Sequence, residues 1–169
     1  MIFNFEQFNE SLLNKLKGPS REEILNNISI NDFLYKSCVS GDYDNVKFAL
    51  ENGANVHHLN DICIRFTNDY DIIKLLIDYG ADIHVSYELP LYNATRRYDN
   101  KTSKLLIKNG ADFYNSSILD FIIQKGMKVL LNFLIKNEYL KWDKMNSEQK
   151  RYAEIYLTKE QVEKIKNNY

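Results

Sequence analysis

Cysteine, glycine and long apolar runs are scarce in this sequence of 169 residues, and each scarcity excludes a class of protein. The two cysteines, Cys38 and Cys63, form no CxxC pair, which argues against a disulfide scaffold and favours a reducing, cytoplasmic environment. No signal peptide is recognisable, and no stretch reaches the roughly 18–20 apolar residues that span a bilayer. The formal net charge of −1 creates no overall field that would recruit nucleic acid or an acidic membrane.

The short motifs of common active sites are also missing. With only six glycines, the sequence has no glycine-rich phosphate loop. No Ser-His-Asp arrangement, metal-deaminase motif or nuclease motif is recognisable. We therefore expect that the protein is not an enzyme and uses no cofactor.

What the sequence does contain is a repeated decapeptide. It reads FALENGANVH at 48–57, LLIDYGADIH at 75–84 and LLIKNGADFY at 105–114, so that the glycines Gly53, Gly80 and Gly110 are 27 and then 30 residues apart. A glycine that directly follows an amphipathic run is typical of the left-handed residue that ends a helix. The Asn or Asp two residues later can accept a hydrogen bond from its own backbone and turn the chain.

A second turn is predicted twelve residues before each glycine, at Gly41, Asn68 and Tyr98, of which Tyr98 suits a tight turn least. A first helix precedes each turn, over residues 32–40, about 60–67 and 88–97. A second helix follows each turn and ends at the glycine. The repeated unit is therefore helix, tight turn, helix, Gly-Ala-Asp/Asn and a short loop.

A fourth, degenerate copy follows the other three. It places Gly126 at the tight turn, and Glu138 replaces the glycine that ends the second helix. Because one helix pair of this kind cannot bury its own apolar face, we expect the copies to stack into one continuous core.

These residues resemble the ankyrin-repeat family. LENGANV, LIDYGAD and LIKNGAD are similar to the end of that family's second helix, and LPLYNATRRY at 89–98 resembles its Thr-Pro-Leu-His-x-Ala-Ala opening at Pro90, Leu91 and Ala94. The periods are shorter than the usual repeat of about 33 residues. Repeats shortened in this way resemble those of giant viruses and large phages. The resemblance implies an all-α, ankyrin-like solenoid of stacked helix–turn–helix repeats with short interrepeat loops, helical caps at both ends and no common catalytic site.

The sequence divides into three parts: an N-terminal helical cap or leader at 1–30, about four repeats at 31–56, 57–83, 84–113 and 114–138, and a C-terminal helical cap at 139–169. In the first part, Ser20 and Glu23 predict a capping box. That part is either a cap on the first repeat or a leader that is removed or used for docking. In the last part, Ser147 and Thr158 are predicted to cap two helices, which either cover the core or bind a partner.

The histidines and cysteines invite a chemical role that we do not expect them to have. His57 and His84 occupy equivalent positions of successive repeats, and packed helices lie about 8–10 Å apart, too far for two nitrogens to share one zinc ion. His58 has no further ligand placed beside it, so no metal site is predicted. Cys38 and Cys63 are expected to be small buried apolar residues, since no paired histidine can be argued for either of them.

The concave face of a repeat protein, built from first helices and loops, is its usual binding surface. Tyrosine and arginine, the residue types most enriched in binding hot spots, are concentrated there in the third repeat. The candidate binding residues are Tyr35, Lys36, Arg65, Phe66, Tyr87, Tyr92, Arg96, Arg97 and Tyr98. We expect a non-catalytic module that binds a partner protein of unknown identity. If the viral resemblance holds, that partner is a host factor such as a defence protein, met in the host cytoplasm.

Nucleic-acid or nucleotide binding is the alternative function. Two arginines and three lysines of the third repeat would contact phosphate groups in that case: Arg96, Arg97, Lys101, Lys104 and Lys108. Residues 31–85, which carry nine acids and four bases, argue against it. No membrane contact is expected, and the protein is predicted to be a monomer unless its N-terminal helix mediates association.

Overall fold

The computed structural model of the chain describes residues 28–167, and these residues form ten α-helices and no strand. The all-α prediction is therefore confirmed for this part of the chain. The helices are α1 (Ile30–Ser40), α2 (Tyr43–Glu51), α3 (His58–Phe66), α4 (Tyr70–Asp78), α5 (Val85–Arg96), α6 (Asn100–Lys108), α7 (Ser116–Gln124), α8 (Lys128–Lys136), α9 (Ser147–Tyr156) and α10 (Lys159–Asn167).

Helices α1, α3 and α5 correspond to the predicted first helices at 32–40, about 60–67 and 88–97. Most of the predicted N-terminal cap or leader at 1–30, with its capping box of Ser20 and Glu23, lies outside the described residues, which begin at 28.

The helices are arranged in two layers. In the first layer, α1 packs on α3, α3 on α5, α5 on α7 and α7 on α9. In the second layer, α2 packs on α4, α4 on α6, α6 on α8 and α8 on α10. Each first-layer helix also contacts the second-layer helix that follows it in the chain. The described residues therefore form five helix pairs, each packed against the next.

The buried apolar side chains of both layers form one continuous cluster. In the first layer it includes Leu34, Ile64, Leu91 and Ile122. In the second layer it includes Val46, Leu76, Leu106 and Leu130. Each fully buried Leu or Ile contributes about 1.5–3 kcal/mol to the free energy of folding. Because the cluster runs through successive pairs, each pair buries its apolar face against its neighbours.

The second helices end as the repeated decapeptide predicts. Gly80, with a φ of 87°, donates its N–H to the Ile77 carbonyl at 2.9 Å, and Ala81 donates to the Leu76 carbonyl at 2.9 Å. Gly53 and Gly110 are also left-handed, with φ angles of 87° and 101°. A Cβ at any of these glycines would meet no atom within 4 Å, so glycine is favoured there by its backbone conformation and not by space.

The Asp or Asn after each Gly-Ala pair turns the chain through its own side chain, as predicted. Asp82 Oδ1 accepts the N–H of His84 at 2.8 Å. Asn55 and Asp112 accept the N–H two residues later in the same way. The N–H of Asp82 is itself held by Asp61 Oδ1 at 2.8 Å. The bond from Asp61 fixes the loop at Asp82 to α3 of the preceding helix pair.

Two residues other than glycine take the left-handed conformation at predicted turns. Tyr98, at the turn between α5 and α6, has a φ of 59°. The corresponding turns of other pairs are occupied by Gly41 and Gly126, with φ angles of 74° and 57°. Glu138 has a φ of 56° after α8. It donates its N–H to the Ile135 carbonyl at 3.2 Å, in the pattern that the glycines make. The degenerate fourth copy thus keeps the turn without the glycine.

Of the two caps predicted for the last two helices, one is confirmed and one is wrong. Thr158 caps α10 as expected, since its Oγ1 accepts the N–H of Gln161 at 3.2 Å. The prediction that Ser147 caps α9 is wrong. Asn146 is the cap, because its extended backbone, with a ψ of 171°, brings its side chain to the N–H of Gln149 at 2.8 Å. Ser147 is instead the first residue of the helix.

Candidate binding surface

An arginine held between aromatic rings lies where α5 meets α7. Arg96 Cζ is 4.5 Å from the centre of the Phe121 ring of α7 and 5.8 Å from the Tyr92 ring one turn earlier in α5. The Tyr98 ring lies 5.6 Å from that of Phe121, with the ring planes inclined at 54°. We call Tyr92, Arg96, Tyr98 and Phe121 the arginine cluster. The structure thus brings together three of the predicted binding residues and adds Phe121, which was not predicted.

The members of the arginine cluster differ in exposure. Tyr92 and Phe121 are half-buried and pack against the core, whereas Arg96 is exposed and Tyr98 is 53 % exposed. The two half-buried rings therefore form a base over which the guanidinium group lies at the surface. Arg97, the next residue, is also exposed and forms no ion pair with any residue between 28 and 167.

Arg65 and Phe66 lie at the end of α3, next to α5 in the first layer. Arg65 Cζ is 5.2 Å from the centre of the Phe66 ring, which is 53 % exposed. Asn93 of α5 donates its side-chain N–H to the Arg65 carbonyl at 3.1 Å, which ties the two helices together. These two predicted residues therefore extend the surface from α5 towards α3.

The remaining predicted residues lie outside the arginine cluster. Tyr35 and Lys36 belong to α1; Tyr35 is half-buried against the core and Lys36 is exposed. Tyr87 is 91 % exposed at the start of α5. Among the described residues, no hydrogen bond, ring contact or ion pair joins these three side chains to Arg96.

Two short left-handed turns open α3 and α5. Leu59, Asn60 and Asp61 have φ angles of 48–57°, and the three residues at 86–88 have 52–66°. Three consecutive left-handed residues are unusual for L-amino acids. This local geometry projects Leu59, 60 % exposed, and Tyr87 into solvent.

A histidine and a carboxylate bracket each of these turns. His57 Nδ1 lies 3.0 Å from Asp61 Oδ1, and His84 Nδ1 lies 2.6 Å from Glu88 Oε1. The hydrogen bond to Glu88 raises the pKa of His84 above its ordinary value. Because the two pairs stand at equivalent positions and hold the turns closed, their geometry indicates a structural role for both histidines.

The predicted basic residues are divided between the two layers. Arg96 and Arg97 end α5 in the first layer, whereas three lysines belong to α6 in the second layer. Lys101 Nζ is 3.6 Å from the centre of the Tyr70 ring, and Lys104 and Lys108 lie 5.5 and 5.9 Å from that of Phe133. The five cations predicted to bind phosphate therefore lie on helices of both layers, three of them over aromatic rings of the second layer.

Cys38 and Cys63 are buried in neighbouring first-layer helices, and each side chain is 2 % exposed. The hydrogen bond to Cys63 and burial raise the pKa of Cys38. The same hydrogen bond lowers the pKa of Cys63, and the raised pKa makes Cys38 a poor nucleophile.

No group of three or more His, Cys, Asp or Glu side chains in residues 28–167 is arranged to hold a metal ion. Within the same range, no helix is long and apolar enough to cross a membrane.

No protein-family model matches the sequence, and no match was found among curated proteins or among solved structures.

Proposed function

We propose that this chain is a non-catalytic, ankyrin-like repeat module that binds a partner protein through its first layer and interrepeat loops. The observation that carries the proposal is the arginine cluster, in which Arg96 rests on Tyr92 and Phe121 at the surface. Aromatic and arginine side chains held rigidly at a surface lose little conformational entropy on binding, and they dominate the energetics of protein interfaces.

Three further observations support an ankyrin-like arrangement. The described helices form successive pairs in two layers, second helices end at left-handed residues, and Gly-Ala-Asp/Asn turns join the first repeats. LPLYNATRRY at 89–98 resembles the family's repeat opening. The resemblance to shortened viral and phage repeats leads us to propose a host protein, such as a defence factor, as the partner.

Affinity capture from the native cell, followed by identification by mass, tests this function. The structure decides the variant to use. Tyr92 is half-buried against the core, so Tyr92→Ala would also lower stability. Arg96→Ala with Arg97→Ala removes two exposed side chains and should abolish capture while the protein stays folded.

The matched control replaces two exposed second-layer lysines, Lys74 and Lys159, by alanine and so removes the same charge. Capture should survive in this control. If the arginine variant captures the same partner as strongly as the unmodified protein does, the proposed surface is wrong.

Nucleic-acid binding is kept as a second candidate because of one observation. Helices α6 and α8 carry five lysines and no acid between them. Phosphate binding there should weaken steeply with salt, so titration of a fluorescent oligonucleotide at two ionic strengths tests it. Changing Lys101, Lys104 and Lys108 together to Gln should remove the binding if this candidate is right.

A further inference from the structure

We propose that Arg96 binds a carboxylate of the partner, so that the segment seated on the arginine cluster is an acidic peptide. This inference rests on the proposed function and specifies its partner by charge. The surface consists of Arg96 on its aromatic base of Tyr92 and Phe121, together with the exposed Arg97.

The Arg96 guanidinium is oriented but not neutralised. Its two aromatic contacts, at 4.5 and 5.8 Å, place the guanidinium group over the rings and favour that position. None of the ion pairs among residues 28–167 involves Arg96. None of their hydrogen bonds that involve a side chain uses its guanidinium group either. A stacked guanidinium with unused N–H donors matches the two oxygens of a carboxylate, which it can bind through two parallel hydrogen bonds.

The part of the chain around Arg96 carries more bases than acids. Arg97 follows directly, and α6, which belongs to the second layer, carries three lysines and no acid. The segment 86–140 carries eight bases and five acids. Within the first layer, the two exposed arginines, Arg96 and Arg97, are the groups that attract an acidic side chain.

The charge of the rest of the chain favours a short acidic peptide over a long polyanion. Helices α1 and α3 of the same layer carry two acids, Asp32 and Asp61, and two bases, Lys36 and Arg65. A nucleic acid laid along the first layer would therefore meet no excess of positive charge beyond α5. A peptide with a few acidic side chains fits within the reach of α5 and α7.

The backbone at Tyr98 gives independent support. A left-handed backbone costs a non-glycine residue roughly 1–2 kcal/mol, and glycine stands at the corresponding turns of 41 and 126. Tyr98 nevertheless keeps a side chain, whose ring lies beside Phe121 and is half exposed. Backbone strain that is retained at a surface residue points to a role for its side chain, and we infer that the Tyr98 ring contacts the bound segment.

A random-peptide display library, selected on the unmodified protein and on Arg96→Gln, tests the proposal. We expect peptides selected by the unmodified protein to be enriched in Asp and Glu, and Arg96→Gln to lose that enrichment. A selected acidic peptide, made synthetically, should bind Arg96→Gln about 30-fold more weakly in a fluorescence anisotropy titration, as expected for a hot-spot arginine. Arg96→Lys, which keeps the charge but not the planar group, should also bind more weakly. Lys74→Gln in the second layer should bind as the unmodified protein does.

The outcomes separate this inference from the function on which it rests. Selected peptides without acidic enrichment, or enrichment that Arg96→Gln retains, would overturn the carboxylate site and leave protein binding intact. Selection of no peptide would count against both. Binding of an oligonucleotide that depends on Arg96, without acidic peptides, would show that the site takes phosphate. The unfolding midpoints of the unmodified protein and Arg96→Gln, measured in urea, establish that any loss is not a loss of fold.

Discussion

Replacing Glu138 by glycine should stabilise the protein, because the chain takes a glycine conformation there without a glycine. Glu138 has a φ of 56°, and its N–H and that of Tyr139 make the bonds to the end of α8 that Gly110 and Ala111 make to the end of α6. The Glu138 side chain is exposed. Among the described residues, no hydrogen bond, ion pair or ring contact would be lost with it.

The magnitude follows from two opposing effects. A left-handed backbone costs an L-residue roughly 1–2 kcal/mol, which Glu138→Gly relieves. Glycine also has more freedom in the unfolded chain, which costs about 0.4–1 kcal/mol. The net gain is therefore about 0.8 kcal/mol in the free energy of unfolding. For a chain of this size, that gain corresponds to a rise of roughly 2–3 °C in the melting temperature.

Urea denaturation of the unmodified protein, Glu138→Gly and Glu138→Ala measures this gain. Alanine keeps the Cβ that causes the strain but removes the carboxylate, so it separates the backbone effect from the charge at the end of α8. Glu138→Gly should be the more stable of the two variants by about 0.8 kcal/mol. Equal stability of the two would refute the left-handed turn and with it the register of the fourth copy.

Two further changes test contacts on either side of the arginine cluster. Tyr114→Phe should lower the free energy of unfolding by about 1–2 kcal/mol, because the hydroxyl donates to the Tyr139 carbonyl at 2.8 Å and accepts the Lys141 N–H at 2.7 Å. A loss below about 0.5 kcal/mol in urea denaturation would speak against these bonds. His84→Gln should lower the melting temperature more at acidic than at alkaline pH. Glu88 raises the folded-state pKa of His84 above the unfolded value of about 6.5, so its stabilisation is complete below that value and is lost as pH rises through the folded pKa. A difference between the two proteins that does not change with pH would contradict that pairing.

The turns after the second helices could be predicted from sequence because their backbone has a strict residue preference. Glycine is the residue most often found in the left-handed conformation at a helix end. The Asp or Asn two positions later accepts a hydrogen bond from a backbone N–H of the same turn. Gly80 and Asp82 behave accordingly. At Glu138 the same turn was found only through its alignment with the other copies, since the residue type gives no signal.

The cap of α9 shows where such prediction fails. Asn146 and Ser147 both have side chains that cap helices well, so residue type at the cap position does not decide between them. The extended backbone at Asn146 gives it the role, and Gln149 completes the capping box. The sequence did hold a signal for that choice, because Gln149 stands three residues after Asn146, the spacing of a capping box, whereas Lys150 stands three residues after Ser147.

Phe121 was missed because its contact with Arg96 joins two helix pairs. The available signal was its position in a first helix of the degenerate copy, which would place it in the same layer as Tyr92. The three-residue left-handed turns after His57 and His84 had no signal, because residues such as Leu59 rarely take that conformation.

The measurement that tests the central claim most directly is affinity capture with variants of the two layers. Arg96→Ala with Arg97→Ala changes the first layer, and Lys101, Lys104 and Lys108 changed together to Gln alter the second. If the partner is a protein bound at the arginine cluster, the first variant loses it and the second retains it. Loss of capture in the lysine variant, with full capture in the arginine variant, would contradict the account.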